Sequence, residues 1–181
     1  MKKIFLATAL FASISAFAQT EKGDWMLGGT VGFRTNKDNN QLNISPNAGY
    51  FFANNFAAGA NLQMDFTKVG ESKTTDLGIG PFARYYFEGA TVRPFVTTSF
   101  NYLYTKSKSA AYKNSESGFG WFFGVGAAAF INQNVALETI AGYNYSKYGS
   151  QGYSGFALNI GFQVYINKGK MDNYRKGKIQ E

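Results

Sequence analysis

The sequence predicts an all-β protein, an eight-stranded antiparallel up-and-down transmembrane β-barrel that is preceded by a signal peptide. Three observations predict this fold. Eight stretches of the chain alternate with a period of two, which is the pattern of strands with two different faces. One face of every stretch carries no charge, and tight and longer connections alternate between the stretches.

The composition limits the chemistry that this chain can perform. Its 181 residues include 21 Gly, 18 Phe and 12 Tyr but neither His nor Cys. The usual near-neutral base, the thiol nucleophile and the common transition-metal ligands are therefore missing. A diacylated cysteine is also impossible, so any membrane attachment must come from the fold. We expect no enzymatic activity, no cofactor and no bound metal.

The first 18 residues have the features of a secretory signal peptide. Two lysines near the start of the sequence are followed by an apolar run from Ile4 to Ile14 and then by the motif Ala16-Phe17-Ala18. A basic start, a short apolar region and a small-x-small cleavage site form such a peptide. The run is too short for a transmembrane helix, which needs about 20 apolar residues. We expect cleavage after Ala18 and a barrel formed by residues 19–166.

Each alternating stretch has the length of a tilted strand that crosses a bilayer, about 9–11 residues or slightly more. The stretches are Trp25 to Arg34, Leu42 to Phe52, Phe56 to Thr67, Asp76 to Phe87, Val92 to Tyr104, Gly118 to Phe130, Val135 to Ser146 and Phe156 to Ile166. The uncharged segment Gly118 to Ile131 has glycines on even positions, so we interpret it as a strand rather than a helix. Pro46, Pro81 and Pro94 lie inside strands and each removes a ladder donor, so we expect bulges or local kinks there.

The two faces of these stretches differ in charge. One face is apolar and aromatic throughout, and the interleaved face carries Arg34, Asp65, Asp76, Arg84, Arg93 and Glu138. The interior of an eight-stranded barrel is just wide enough for side chains, so it cannot hold the aromatic-rich face. The apolar face must therefore point outward, where lipid covers it. A slip of one residue would place the charges against hydrocarbon, so the bilayer fixes the register.

Aromatic residues collect near both ends of the apolar face. Near the tight turns they are Trp25, Tyr50, Phe52, Phe56, Tyr85 and Phe87. Near the longer connections they are Phe33, Phe66, Tyr102, Tyr104, Phe119, Trp121, Tyr143 and Tyr145. Aromatic rings are enriched at both membrane interfaces, where an apolar body and a polar edge are each satisfied. We therefore expect two aromatic belts.

Short and longer connections alternate strictly along the chain. The tight turns lie at Ala53 to Asn55, Glu88 to Thr91 and Ile131 to Asn134, and the longer connections at Thr35 to Gln41, Lys68 to Thr75, Thr105 to Ser117 and Lys147 to Gly155. Barrels of the outer membrane have short periplasmic turns and longer external loops. With an even number of strands, both termini of the mature chain are then periplasmic. Residues 167–181 are expected to form a flexible basic periplasmic tail.

An internal repeat supports the hairpin as the building unit. The segments Pro46 to Phe52 and Pro81 to Phe87 share the pattern P-x-A-x-Y-[FY]-F. With the signal peptide and the ending Phe156 to Ile166, they resemble the outer membrane protein beta-barrel domain family, small porin-like barrels of Gram-negative, Bacteroidetes-type bacteria. The resemblance covers nearly all of residues 19–166 and implies a cell outer membrane protein that the insertion machinery assembles. Such barrels usually end on a terminal aromatic, whereas this chain continues to Glu181.

The six inward charges are expected to form a lumen network in which each charge is paired. Such a plug stabilises the barrel and blocks ions, and in a rearranged form it could gate a narrow water path. We therefore predict an integral outer-membrane protein with a structural or surface-binding role. Its external loops would contact lipopolysaccharide, host or extracellular ligands, and their surplus of lysines suits phosphates.

Two other functional classes are considered. The main alternative is a narrow pore or conduit for small solutes across the outer membrane. A secreted soluble ligand-binding barrel is disfavoured by the outward apolar rows. Nucleic-acid binding is not predicted because the basic residues are scattered rather than arranged in a stripe among stacking aromatics. The expected partners are outer-membrane lipids, lipopolysaccharide and the insertion machinery, with the protein itself a monomer.

Overall fold

The structure, a computed structural model, describes residues 20–36, 39–70, 72–89, 91–108 and 113–168. These residues form eight strands: β1 (Trp25–Asn36), β2 (Asn39–Ala53), β3 (Phe56–Val69), β4 (Ser72–Tyr86), β5 (Val92–Lys108), β6 (Lys113–Phe130), β7 (Val135–Tyr148) and β8 (Gln151–Ile166). Each strand pairs antiparallel with the next, and β1 pairs with β8, which closes the sheet into a barrel. The predicted fold is therefore confirmed. The predicted signal peptide and residues 169–181 of the predicted tail lie outside the described residues.

The barrel has two ends, which we name by their connections. The terminal rim carries the first and last described residues and the β2–β3, β4–β5 and β6–β7 turns, and the loop rim carries the other four connections. No helix within the described ranges is long and apolar enough to cross a membrane.

The two faces of the strands are segregated as the alternation predicts. The apolar positions lie exposed on the outer wall, among them Leu27, Leu62, Ile79, Phe123, Leu137 and Ile160. Their sequence neighbours point inward because successive side chains of a strand alternate between the faces of the sheet. An outer wall of this apolar character requires lipid rather than water around it.

The strand ends deviate from the sequence prediction at the loop rim. At the terminal rim every end agrees within one residue, but β4 begins at Ser72, β6 at Lys113 and β8 at Gln151, four or five residues earlier than predicted. The prediction of longer connections is therefore wrong, since Gly149 and Ser150 alone join β7 to β8. Beyond the bilayer the residues no longer need to alternate between apolar and polar, yet their backbones still pair. Gly149 has φ of 54°, in the left-handed region that such a two-residue turn requires.

The three prolines leave the register intact, so the bulges expected there are not found in the described strands. Pro46 lies opposite Gly29, Pro81 opposite Ala60 and Pro94 opposite Ala127. Each proline removes one N–H donor, and the pairs on either side of it hold the same register. The register shift between β2 and β3 lies elsewhere, between Phe51 and Ala53 beside the turn.

The hydrophobic core lies inside the barrel and is aromatic. Its buried members include Met26, Phe51, Phe82, Tyr86, Phe95, Phe130, Ile140 and Tyr165. Ring centroids of Tyr86 and Phe95 are 5.3 Å apart, and those of Phe130 and Tyr165 are 5.0 Å apart. Gly126 faces this core, where an added Cβ would lie 2.4 Å from Cζ of Phe95. The lumen is therefore filled with rings rather than open in this region.

The seam between β1 and β8 is short. Its pairing runs from Trp25 opposite Ile166 to Val31 opposite Ile160 and ends there. Between this seam and the loop rim, the described residues 32–36 of β1 pair only with β2, and residues 151–159 of β8 pair only with β7. Phe33 and Phe156, which lie within this unpaired stretch, are the most exposed of the outward aromatics, at 70% and 82%. The two edge strands are thus joined mainly in the part of the barrel near the terminal rim.

Candidate functional site

A salt bridge crosses the lumen above the aromatic core. Arg84 of β4 donates from Nη1 to Oε1 and Oε2 of Glu138 of β7, at 2.9 and 2.8 Å. Arg84 is 4% exposed and Glu138 is 1% exposed. Among the residues that the structure describes, they form the only salt bridge. The low exposure means that neither charge could remain without the other.

The hydroxyls of two tyrosines and the ring of Phe95 surround this ion pair. The hydroxyls of Tyr86 and Tyr165 are 2.9 Å apart, and Tyr165 donates to Oε1 of Glu138 at 3.2 Å. Arg84 donates to the Tyr86 hydroxyl at 3.0 Å, and its guanidinium carbon lies 4.3 Å from the ring centroid of Phe95. Hydroxyls and a ring face thus replace the water that the two charges lost on burial. We call these five side chains the ionic plug.

A polar cavity of about 670 Å³ lies between the ionic plug and the loop rim. We call it the polar well. Its walls are mainly amides and hydroxyls from all eight strands, with Arg84 and Phe82 at its floor and Glu116, Gln151 and Tyr153 near its mouth. Tyr86, Phe95 and Tyr165 do not line it, so the well ends at the plug. A volume in this range is typical of small-molecule sites.

Two carboxylates lie in the wall of the polar well without a cationic partner in the described structure. Asp65 of β3 is directly opposite Asp76 of β4. Asp65 is 8% exposed and accepts hydrogen bonds from Asn43 and Gln63, both at 2.6 Å. Asp76 lies opposite Thr105 of β5. Amides therefore stabilise the carboxylate of Asp65, and no group of three acidic side chains in the described ranges could hold a metal ion.

The remaining two predicted network residues lie elsewhere. Arg93 of β5 is at the terminal rim, where it donates to Thr20, to Asn55 at 3.2 Å and to the carbonyl of Gly89 at 3.1 Å. Arg34 lies in β1 opposite Gln41, and its side chain is outside the described part. Of the five predicted charges whose side chains are described, the structure thus brings together only Arg84 and Glu138 as an ion pair. Asp65 and Asp76 lie in the wall of the polar well, and Arg93 lies at the terminal rim.

The predicted belt residues all belong to the outward face. Near the terminal rim, Tyr50 is half-buried between Trp25 and Phe52, with ring centroids 5.2 and 5.1 Å apart. The other belt residues are exposed, and Tyr102 packs edge-on against Phe119 near the loop rim. Their arrangement fits rings at two lipid interfaces.

The sequence interpretation missed the segment before β1 and the inward aromatics. Gly23 donates its N–H to the carbonyl of Phe51, and buried Asp24 accepts from the N–H of Lys168, at 2.9 and 3.1 Å. These bonds join the described chain ends at the terminal rim. The inward aromatics did leave a signal, because Tyr86 and Phe51 each stand beside an outward aromatic in the repeated motif.

Comparisons with known proteins agree with this architecture. The family model described as "Outer membrane protein beta-barrel domain" matches residues 4–169. Among solved structures, Neisserial surface protein A matches with a TM-score of 0.59 and 18% identity, covering 79% of this chain and 97% of that chain. The N-terminal beta-barrel domain of Pseudomonas aeruginosa OprF matches with a TM-score of 0.54 and 11% identity, covering 80% and 98%. These identities show the fold alone, and no curated protein matches this chain.

Proposed function

The chain belongs to the outer membrane protein beta-barrel domain family, and on that premise we propose that it acts as a closed barrel with a structural or surface-binding role. It is a protein of the outer membrane, and in our proposal the loop rim faces the exterior while both termini face the periplasm. The observation that carries the proposal is the ionic plug, which lies across the lumen above a packed aromatic core.

The plug supports a closed barrel for an energetic reason. A solute in the polar well would have to separate Arg84 from Glu138 and then pass Phe95, Tyr86 and Tyr165. Breaking a buried ion pair costs about 3–5 kcal/mol, since it leaves an uncompensated charge. The barrel then offers binding surfaces at its exterior rather than a path through its centre.

Two surfaces at the loop rim are available for binding in this proposal. One is the polar well, whose amides and hydroxyls suit a polar ligand. The other is the rim itself, where Lys68, Lys73, Lys106 and Lys147 are exposed. Their positive charge suits the phosphates of lipopolysaccharide. In this proposal the insertion machinery acts at the terminal rim, where β1 begins and β8 ends.

The second candidate function, a narrow conduit for small solutes, is favoured by one observation. The polar well reaches down to Arg84, whose Nε is buried and has no hydrogen-bond partner among the described residues. The guanidinium of Arg84 could therefore move into the polar well without a steric clash. Such a movement would open a path for ions through the ionic plug.

Conductance measurements in planar bilayers separate the two candidates. The closed barrel predicts that wild-type protein gives no steady current. Steady wild-type currents that Arg84→Ala changes, and that the matched terminal-rim variant Arg93→Ala leaves unchanged, would establish the conduit instead. Both variants must still show a heat-modifiable band on mild gels, which reports an intact barrel.

The orientation is tested by external protease on intact cells. Trypsin should cleave at the lysines of the loop rim and leave the lysines of residues 167–181 uncut, as read by mass spectrometry of the membrane fraction. Cleavage confined to the tail would mean that the barrel is inserted the other way.

A further inference from the structure

Charged residues near the loop rim are segregated by face. Exposed Lys68, Lys73 and Lys106 alternate along their strands with inward neighbours and continue the outward apolar rows. Asp65 and Asp76 belong to the inner wall, where they line the polar well. The outer wall of β3, β4 and β5 therefore carries only positive charge at this level of the described structure.

The backbone register places these lysines next to one another. Lys68 of β3 is directly opposite Lys73 of β4, and Lys73 is directly opposite Lys108 of β5. Like charges directly opposite each other on a sheet are destabilising. No carboxylate in the described part of the chain forms a salt bridge with Lys68, Lys73 or Lys106. An external anion at this position would relieve the repulsion.

A groove of about 260 Å³ lies between two of these lysines. It is lined by Lys73, Thr75 and Leu77 of β4 and by Tyr104 and Lys106 of β5. Leu77 is opposite Tyr104, and Thr75 is opposite Lys106. The side chains of Lys73, Thr75 and Lys106 thus border the part of the groove nearer the loop rim, and those of Leu77 and Tyr104 border the part nearer the middle of the membrane. This second part is continuous with the lipid-facing wall.

We propose that this groove binds the phosphate group of a phosphorylated glycolipid of the outer leaflet. Lys73 and Lys106 contact the phosphate oxygens, and Leu77 and Tyr104 contact the first part of an acyl chain. The chemistry matches at both ends, because phosphate pairs with ammonium groups and hydrocarbon packs on the apolar wall. The choice of an outer-leaflet glycolipid rests on the orientation in the proposed function, which puts the loop rim at the headgroups of that leaflet.

Native mass spectrometry of the refolded protein in detergent tests the site. The probe is bisphosphorylated lipid A, compared with the same lipid after removal of its phosphates and with phosphatidylglycerol. We expect K73A/K106A to weaken retention of lipid A about 30-fold, since each lysine near a membrane surface contributes to anion attraction. The matched control is K22A/K168A, which removes two exposed lysines at the terminal rim, the end of the barrel opposite the groove. We expect less than about a twofold change for this control.

Three results would overturn the proposal: equal retention by the two double variants, equal retention of the dephosphorylated lipid, or equal retention of phosphatidylglycerol. The last result would mean that any anionic lipid suffices. The heat-modifiable band confirms that each variant is folded. The experiment is done in detergent, so it measures lipid binding to the groove independently of the orientation of the barrel in cells. External protease alone tests that orientation, and conductance alone tests the closed barrel, so the failures can be told apart.

Discussion

Replacing Glu138 by Gln tests whether the ionic plug holds the barrel together. The variant keeps the shape of the side chain and a hydrogen-bond acceptor for Tyr165, but it leaves the charge of Arg84 uncompensated. Arg84 is 4% exposed, so water cannot replace the lost carboxylate without rearrangement. The expected result is a large loss of stability with an unchanged fold.

The magnitude follows from the geometry. The Nη1 atom of Arg84 lies 2.8 and 2.9 Å from the two carboxylate oxygens of Glu138. Two unit charges about 4 Å apart interact by about 4 kcal/mol at an effective dielectric constant of about 20. Removal of one partner of a buried pair typically costs about 3–5 kcal/mol. Because the introduced glutamine retains a polar contact, we expect a loss near the lower limit, about 3 kcal/mol.

The assay is reversible urea unfolding in detergent, followed by the fluorescence of Trp25 and Trp121. The double variant Arg84→Met with Glu138→Gln removes both charges, so its free energy of unfolding should return to within about 1 kcal/mol of wild type. Arg84→Met alone completes the double-mutant cycle. A loss below about 1 kcal/mol for Glu138→Gln, or a double variant equal to the sum of the single variants, would refute the reasoning.

Two further predictions concern the outer wall and the core. Leu62→Arg places a charge on the lipid face and should cost about 2–4 kcal/mol, whereas Gln63→Arg on the inward face should cost much less, because the carboxylate of Asp65 lies beside it. Equal effects of the two in urea unfolding would contradict the assignment of faces. Gly126→Ala puts a Cβ 2.4 Å from Cζ of Phe95 and should cost about 1–3 kcal/mol. Gly155→Ala meets no atom within 4 Å and serves as the control, so thermal shifts of equal size would argue against a packed core.

The outward face could be predicted from the sequence because the bilayer imposes a strict rule on it. Ile79 and Phe123 belong to uncharged rows of alternate residues, and any other register would expose charge to hydrocarbon. The bilayer imposes no such rule beyond the membrane surface. The strands continue there through Lys73 and Gln151, but the alternation of apolar residues by which the strands were predicted does not.

The identity of the ion pair could not be predicted in this way. The sequence singled out Arg84 and Glu138 among six inward charges, but strands β4 and β7 face each other only after the barrel has closed. Asp65 lies among amide donors from β2 and β3, which no local pattern distinguishes from a position beside an arginine. The alternation of residues places a side chain inside, and the strand tilt and closure decide what it meets there.

The short seam between β1 and β8 has a consequence for how the wall forms and fails. Every other strand pair is a hairpin whose partners are close in sequence, whereas this pair unites opposite ends of the domain and carries the largest loop-closure entropy. We therefore expect closure to be the last step of assembly. We also expect unfolding to begin with separation of β1 from β8 at Val31 and Ile160, because few backbone hydrogen bonds join the two strands.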